Sequence, residues 1–517
     1  MKLDLDRVLG TARAWLAQDP DQETRDELAA AIDEAADGDG PAVRALAERF
    51  DGRLQFGTAG LRAELGWGPL RMNRVVVTQA AAGLARFLIE TGRSPSVVIG
   101  YDGRVNSDVF ARDSAEVMRG LGLEVTLLPS ALPTPVLAFA VRHLDVGAGV
   151  MVTASHNPPR DNGYKVYLGQ DDDGSQIVPP VDGEIAAAID AVAAGSVADL
   201  PRGTDYTVAT SALVDAYVAA TAAIVPAPAL PLDEQPKVVY TAMHGVGWET
   251  ARAVFAAAGF AEPAVVPEQI DPDGAFPTVS FPNPEEPGAM DLAIARGVAV
   301  GADLVIANDP DADRLALAIP TASDAGAPSY RRLSGNEVGW LLGWRAAARA
   351  SESGATGTLA ASIVSSPALA RVAARHGLEY RDTLTGFKWV SRGARAAVRL
   401  RGSPGLPGRP VGRARQGRHL GGAGAAVVGV GPRRGRIVDR RAARRLRRRV
   451  RGVRLGAGRD PGRRPVAHRR GHGVAPVHAA CVPRWPRRAH GDGLLGRGCR
   501  ASRRRTSCAT TWPATHG

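Results

Sequence analysis

One serine and three aspartates carry the chemistry that this chain could do. The run Gly149-Val150-Met151-Val152-Thr153-Ala154-Ser155-His156-Asn157-Pro158 passes from apolar, strand-like residues into a polar loop stopped by proline, which displays the Ser155 hydroxyl. Downstream, Asn308-Asp309-Pro310-Asp311-Ala312-Asp313-Arg314 sets three carboxylates at alternate positions between two apolar runs. That donor set suits a hard divalent cation held by oxygens. A displayed hydroxyl and a carboxylate cage together point to phosphoryl transfer.

Each feature has a plainer alternative. A serine beside Asn-Pro by default hydrogen-bonds its own backbone in a turn. A serine hydrolase would need Gly-x-Ser-x-Gly, which is absent, and His156, adjacent in sequence, is poorly placed as a base for Ser155. The aspartates could be a solvated acidic turn. An EF-hand loop fails, because its sixth position would be Arg314 rather than glycine and its twelfth Pro320 rather than glutamate. The flanking runs Leu304-Val305-Ile306 and Leu315-Ala316-Leu317 are strand-like, and three carboxylates held between buried strands repel one another unless a cation joins them.

The elements that must position these residues alternate. Residues 1–50 read as a helical extension, with Leu28, Ala31, Ile32 and Ala35 at helical spacing. Strand Val97–Ile99, a helix to about Leu121 and strand Val125–Leu128 form a βαβ pattern, followed by the serine loop, strand Gly163–Leu168 and helix Val181–Ala194. A turn-rich stretch, Gly195–Asp205, marks a boundary. The pattern then repeats: helix Ala212–Ile224, strand Lys237–Thr241, helix Glu249–Ala258, strand Ala264–Val266, helix Ala289–Arg296 and strand Asp303–Ala307. The aspartate loop follows that last strand's carboxyl end, where open α/β sheets bind their ligands. After a second turn-rich stretch, Thr321–Tyr330, come helix Glu337–Arg349, strand Leu359–Val364 and helix Leu369–His376. A Gly422-Ala423-Gly424 string lacks the third glycine and the distal acid of a dinucleotide fingerprint.

Charge divides the chain in two. Residues 391–517 hold 33 Arg, no Lys and only Asp439, Asp460 and Asp492 as acids, a net +30, whereas residues 1–390 carry 31 basic and 50 acidic side chains, a net −19. The overall +11 describes neither part. A basic average ordinarily implies nucleic acid or an anionic membrane as partner, an inference that fails for the acidic body. All three cysteines, Cys481, Cys499 and Cys508, lie in the tail. With no charged-then-apolar leader over Met1–Pro20 and no long apolar run, the body is expected to be cytoplasmic, without a membrane partner. Its length predicts several domains.

Five motifs, in order, resemble those of the α-D-phosphohexomutase superfamily, which includes phosphoglucomutases and phosphomannomutases. They are Phe56-Gly57-Thr58-Ala59-Gly60-Leu61-Arg62, Gly100-Tyr101-Asp102-Gly103-Arg104, Thr153–Pro158, Asp309–Arg314 and Thr385–Lys388. The resemblance covers about Arg53 to Val390. It implies an intramolecular phosphotransferase with a multidomain α/β architecture of mixed sheets flanked by helices. It also implies that Ser155 is carried as phosphoserine, with Mg²⁺ held by its phosphate and by Asp309, Asp311 and Asp313. The phosphoryl group would pass between C1 and C6 of a sugar, or C5 of a pentose, through a bisphosphate that also serves as activator. Arg62, His156, Lys165 and Arg314 would line the reacting centre, with Lys165 or His156 as acid/base and Lys388 on the substrate. The Phe56–Arg62 wording and Phe281-Pro282-Asn283-Pro284-Glu285-Glu286-Pro287 look most like the phosphoglucomutase/phosphopentomutase-like branch. Ala63, where that branch usually has glycine, could crowd a phosphate-binding loop.

The resemblance stops abruptly after Lys388. A sugar-recognising string of the type Phe-Gly-Tyr-Glu-Glu-Ala-Leu-Gly-Tyr is absent, but shifting its codons by two bases yields Val398-Arg399-Leu400-Arg401-Gly402-Ser403-Pro404-Gly405-Leu406, which is present. The same frame turns Arg-Asp-Lys-Asp-Gly-Ile-Ser into Ala414-Arg415-Gln416-Gly417-Arg418-His419-Leu420. A frame change is therefore expected between Val390 and Val398. The expected organisation is an extension at 1–50, a phosphoserine domain at 51–205, a metal-binding domain at 206–325, a truncated third domain at 326–395 and an out-of-frame tail at 396–517. The fourth, phosphate-clamping domain would be missing, activity would be impaired, and the self-repelling tail would lack a packed core. A nucleic-acid-binding tail on a degenerate enzyme body is the competing class; it would ordinarily include Lys and interleaved aromatics. With the sugar-reading loop out of frame, glucose, mannose, glucosamine and pentose phosphates are not distinguished.

Overall fold

The computed structural model describes residues 5–321 and 329–400, with 394–400 described by backbone alone. Beyond residue 400 the Arg-rich tail and its hidden-frame strings lie outside the described residues.

The N-terminal helices α1 (Leu5–Gln18), α2 (Gln22–Ala36) and α3 (Gly40–Arg49) match the expected extension. Asp21 caps α2 by accepting from the Glu23 amide, and Asp39 caps α3 by accepting from the Ala42 amide. Their buried stripes, including Val8, Trp15, Leu28, Ile32 and Leu46, join the same hydrophobic core as the first sheet. The extension is thus part of that core.

The first sheet is built from β1 (Leu61–Glu64), β2 (Ser96–Tyr101), β3 (Glu124–Leu127), β4 (Ala148–Val152), β5 (Asp161–Leu168), β6 (Ser175–Gln176) and β7 (Thr207–Val208). Its order is β1-β5-β4-β2-β3-β7, with β6 paired to β5. The strands β4, β2, β3 and β7 run parallel; β5 is antiparallel to both β4 and β1. Helices α4 (Arg74–Glu90), α5 (Ser107–Gly120) and α7 (Val181–Ala193) share one core with Val97 and Ile99, while α6 (Thr134–His143) shares the other with Val98 and Met151. Alternate residues of one strand feed opposite cores, so both faces of the sheet are covered. Helix α4 has no apolar stripe in the sequence because it is buried nearly all round, from Val75 to Leu88.

Two local details bear on the first sheet. Strand β7 and Leu213 of α8 (Ser211–Ala222) belong with the first sheet and its α6 core, although they follow the turn-rich 195–205 stretch. Ala63 sits in β1 opposite Asn162, whereas the tight glycine is Gly60: at φ +78°, a Cβ there would lie 1.8 Å from the Tyr164 carbonyl oxygen.

The second sheet, ordered β12-β11-β10-β8-β9, comprises β8 (Val238–Thr241), β9 (Ala264–Val265), β10 (Leu304–Asn308), β11 (Leu315–Thr321) and β12 (Ser329–Arg332). Helices α9 (Gly247–Ala257) and α10 (Asp291–Val300) flank it. The aspartate loop connects β10 to its antiparallel neighbour β11, with Asn308 opposite Leu315. In the third unit, a capping box of Ser334 and Glu337 starts α11 (Gly335–Ser353). It continues through β13 (Thr358–Ser362), α12 (Ala368–Arg375), β14 (Glu379–Thr383) and α13 (Phe387–Leu400). Among the described residues, β13 and β14 form a two-stranded parallel sheet. No helix of the described residues is long and apolar enough to cross a membrane.

Candidate active site

The fully buried β4 delivers Ser155 at its carboxyl end. The residue adopts a left-handed backbone, φ 54°, and its amide donates to Thr153 Oγ1 at 2.8 Å. Thr153 in turn donates to Asp102 Oδ2 at 2.6 Å. The Ser155 hydroxyl donates to Asp309 Oδ2 at 2.7 Å, which joins the serine loop of the first unit to the aspartate loop of the second. His156 Nδ1 lies 3.2 Å from the same hydroxyl. This corrects the expectation that adjacency misplaces His156: the left-handed turn at Ser155 swings the next side chain to the same side.

The β10–β11 loop gathers Asp309, Asp311 and Asp313 so that one oxygen of each lies within 4.8 Å of the others. Thr134, at the start of α6, donates to Asp311 Oδ2 at 2.7 Å. Lys165 on β5 donates to Asp311 Oδ2 at 2.6 Å and to Asp313 Oδ2 at 2.8 Å. The Arg314 amide donates to Asp309 Oδ1 at 2.9 Å, and its Nε stands 3.9 Å from both Asp309 and Asp313. Arg62 donates to Asn157 Oδ1 at 3.1 Å across the serine loop.

Burial and charge set the electrostatics. Asp309 is pushed well above the usual carboxylate range by burial, then by the charges of Asp311 and Asp313. Burial acts the same way on Asp311, but the Lys165 ammonium outweighs it and holds Asp311 below its ordinary value. Lys165 shows the mirror image: burial disfavours its charge, yet Asp311 and Asp313 hold it above its ordinary value. Burial lowers Arg62, against the pull of Asp311. Asp311 Oδ1 is buried without a hydrogen-bond partner. A buried oxygen left unpaired is costly, and three carboxylates with one orphaned oxygen fit a hard cation such as Mg²⁺.

The sequence-derived candidates do not all converge. Ser155, His156, Lys165, Asp309, Asp311 and Asp313 form one linked cluster, with Arg314 at its edge and Arg62 on the serine loop. Lys388 stands apart: its Nζ donates to Thr58 Oγ1, on the loop leading to Arg62, which ties α13 to the first motif. Burial moves Lys388 below its ordinary value. Three participants carry no role in the sequence reading. Thr134 has no local signal, whereas Asp102 and Arg104 follow directly on the buried strand β2. Two charged residues just past an apolar strand, at the carboxyl edge of a parallel sheet, are the signal that could have found them.

A displayed hydroxyl facing a carboxylate cage, at the carboxyl ends of two α/β sheets, is an arrangement suited to phosphoryl transfer. Sequence comparison is specific. The phosphoglucomutase/phosphomannomutase α/β/α domain I pattern matches residues 53–195, domain II 215–322 and domain III 334–401. A Haemophilus influenzae relative named "Probable phosphomannomutase" is 55% identical over 321 residues, covering 62% of this chain and 64% of its own length. Human phosphopentomutase is 36% identical over 378 residues, covering 68% of this chain and 60% of its own. A solved phosphoglucomutase/phosphomannomutase family protein from Burkholderia thailandensis shares the fold, with 24% identity and a TM-score of 0.54 over 68% of this chain and 69% of that one. The chain belongs to the phosphoglucomutase/phosphomannomutase family, within the α-D-phosphohexomutase superfamily. It spans less than two thirds of the length of those two relatives.

Proposed function

We propose that this protein is a cytoplasmic phosphosugar mutase that moves a phosphoryl group between C1 and C6 of an aldose, or C5 of a pentose, through Ser155. The observation that carries this reading is the 2.7 Å contact of the Ser155 hydroxyl with Asp309 at the junction of the first two units. Relatives named for mannose, pentose, ribose and glucose phosphates support a sugar-phosphate substrate. A sugar bisphosphate is the activator, because it can charge the serine.

The chain's own residues account for the transfer. As the Ser155 Oγ–P bond forms and the donor O–P bond breaks, the seryl proton passes to His156 Nδ1, 3.2 Å from Oγ, while Asp309 Oδ2 orients the hydroxyl. Arg62, Arg314 and Lys165 line the centre with positive charge, which neutralises the equatorial oxygens of the moving group. Asp309, Asp311 and Asp313 would hold Mg²⁺, which when bound supplies further neutralisation of the phosphoryl charge. Lys165, pinned by two carboxylates, acts as donor to the departing oxygen. Lys388 reaches the substrate from the third unit by way of the Thr58 loop.

The proposed domains are 51–205, 206–325 and 326–395, preceded by the helical extension and followed by an out-of-frame tail that impairs turnover. Restoring the reading frame after Val390 and replacing Ser155 by Ala tests the mechanism. The restored enzyme should interconvert glucose 1- and 6-phosphates with glucose 1,6-bisphosphate present, and Ser155→Ala should remove nearly all turnover. Near-normal activity of Ser155→Ala would refute the phosphoserine route.

A further inference from the structure

We propose that Arg104 is the positioning residue of the Ser155 loop: its buried guanidinium holds the loop in its left-handed turn and ties it to the Phe276 segment of the second unit. The proposal rests on the reading of Ser155 as phosphoryl acceptor.

Arg104 is aimed almost wholly at backbone. Nη2 donates to the Ser155 carbonyl at 2.7 Å and the Asn157 carbonyl at 2.6 Å, while Nη1 donates to Pro158 at 2.8 Å and Asp161 at 2.9 Å. These four carbonyls bracket the whole loop. The side chain is 1% exposed, and its charge is balanced by Asp102, whose Oδ2 lies 3.6 Å from Nε. The same Asp102 oxygen accepts from Thr153, which receives the Ser155 amide. The pair therefore holds Ser155 from both its amide and its carbonyl. Left-handed backbone is unfavourable for a residue with a Cβ, and it persists where surrounding contacts over-determine it. Only a planar fork of fixed donors can grip four diverging carbonyls; a lysine ammonium has three donors and no fork.

The second unit closes over this clamp. Phe276, itself buried and left-handed at φ 48°, places its ring centroid 4.9 Å from Arg104 Cζ. A Cβ on Gly274 would come within 2.9 Å of the Val105 amide nitrogen, and one on Gly103 within 2.9 Å of Pro272. The loop bearing Phe276 is also held to the aspartate loop. Asp273 donates its amide to the His244 carbonyl, and Val246 donates to the Pro310 carbonyl, both at 2.9 Å. One set of second-unit loops thus seats the carboxylates and the clamp together, so the hydroxyl and the cage are aligned by a shared support.

The test compares the protein with its reading frame restored after Val390 with its Arg104→Lys variant, which keeps the charge beside Asp102, and its Phe276→Leu variant, which leaves the guanidinium in place. Amide hydrogen exchange of residues 153–161 reads the clamp. Ser155 phosphorylation by glucose 1,6-bisphosphate with Mg²⁺, followed by peptide mass mapping, reads its consequence. In Arg104→Lys, exchange in the loop should speed about tenfold, the scale of losing one net hydrogen bond, with β4 and β5 unchanged. Phosphorylation should slow about a hundredfold at unchanged half-saturating bisphosphate, as expected for a misplaced rather than a missing group. Phe276→Leu should shift both readouts in the same direction by less, and it carries the test should Arg104→Lys not fold. Unchanged loop exchange in the folded variants, or a rise spread equally through β4 and β5, would overturn the proposal. A wild-type protein with its frame restored that takes up no phosphoryl group, while its variants show the loop-confined exchange change, would refute the phosphoserine reading and support the clamp.

Discussion

The first unit and the third begin alike, as strand–helix–strand patterns, and end very differently. In the first, a seven-stranded sheet is walled on both faces, and residues such as Leu84, Leu88, Ile99 and Val150 are wholly buried. In the third, β13 and β14 stand as a pair among the described residues, and Trp340, Leu341, Trp344, Ile363, Val364, Leu384 and Phe387 are all more than a third exposed. Two strands are marginal by themselves, and the third unit leaves more of its large apolar side chains exposed than the first. The difference teaches where the chemistry can be stored. A left-handed serine at the end of a wholly buried strand needs a rigid support, and the walled region offers one.

The largest effect is expected from restoring the proposed reading frame after Val390. Restored-frame protein should convert glucose 1-phosphate to 6-phosphate, while the 517-residue chain should not, because turning a bisphosphate around needs positioning worth roughly 7–11 kcal/mol of a barrier. Equal kcat/KM for the two forms would remove the basis for the frame change. Next in size, Leu84→Ala in the closed core should cost about 2–5 kcal/mol by denaturant unfolding; a loss below 1 kcal/mol would mean that the first unit is no better packed than the third. Asp311→Asn should lower kcat of the restored enzyme by at least about a hundredfold, the effect of losing one electrostatic stabiliser. Full activity of chelator-treated enzyme would show that the carboxylates serve structure alone. The smallest effect is expected on the open face: Leu341→Ser should change unfolding free energy by less than about 0.5 kcal/mol while reducing binding of a hydrophobic dye. A large destabilisation would show that Leu341 is packed in solution.

Legibility from sequence followed the same division of forces. The strands ending in Gly100–Arg104, Ser155 and Asp309 were readable because an apolar run giving way to polar residues is a local pattern. Helix α4 was not, since burial on every side erases the 3.6-residue stripe. The junction of Ser155 with Asp309 follows from the motifs only through family resemblance; nothing local says that residues so far apart in sequence meet. His156, set aside as a hydrolase base but kept as an acid/base candidate, reaches the Ser155 hydroxyl through the left-handed turn that adjacency alone does not reveal. Thr134 on Asp311 and Arg104 on four carbonyls are tertiary facts with no periodic trace.

The ionic cluster draws its parts from two sources. Asp309, Asp311, Asp313 and Arg314 come from the loop between β10 and β11 of the second sheet, and Lys165 on β5 and Arg62 on β1 from the first. Neither half is self-sufficient: one alone is an excess of negative charge, the other an unanswered pair of cations. Such a centre cannot be inherited piecemeal. A recombinant joining the first sheet of one relative to the second sheet of another must match across the seam at Lys165–Asp311 and Ser155–Asp309, so exchange of either sheet is constrained by its counterpart.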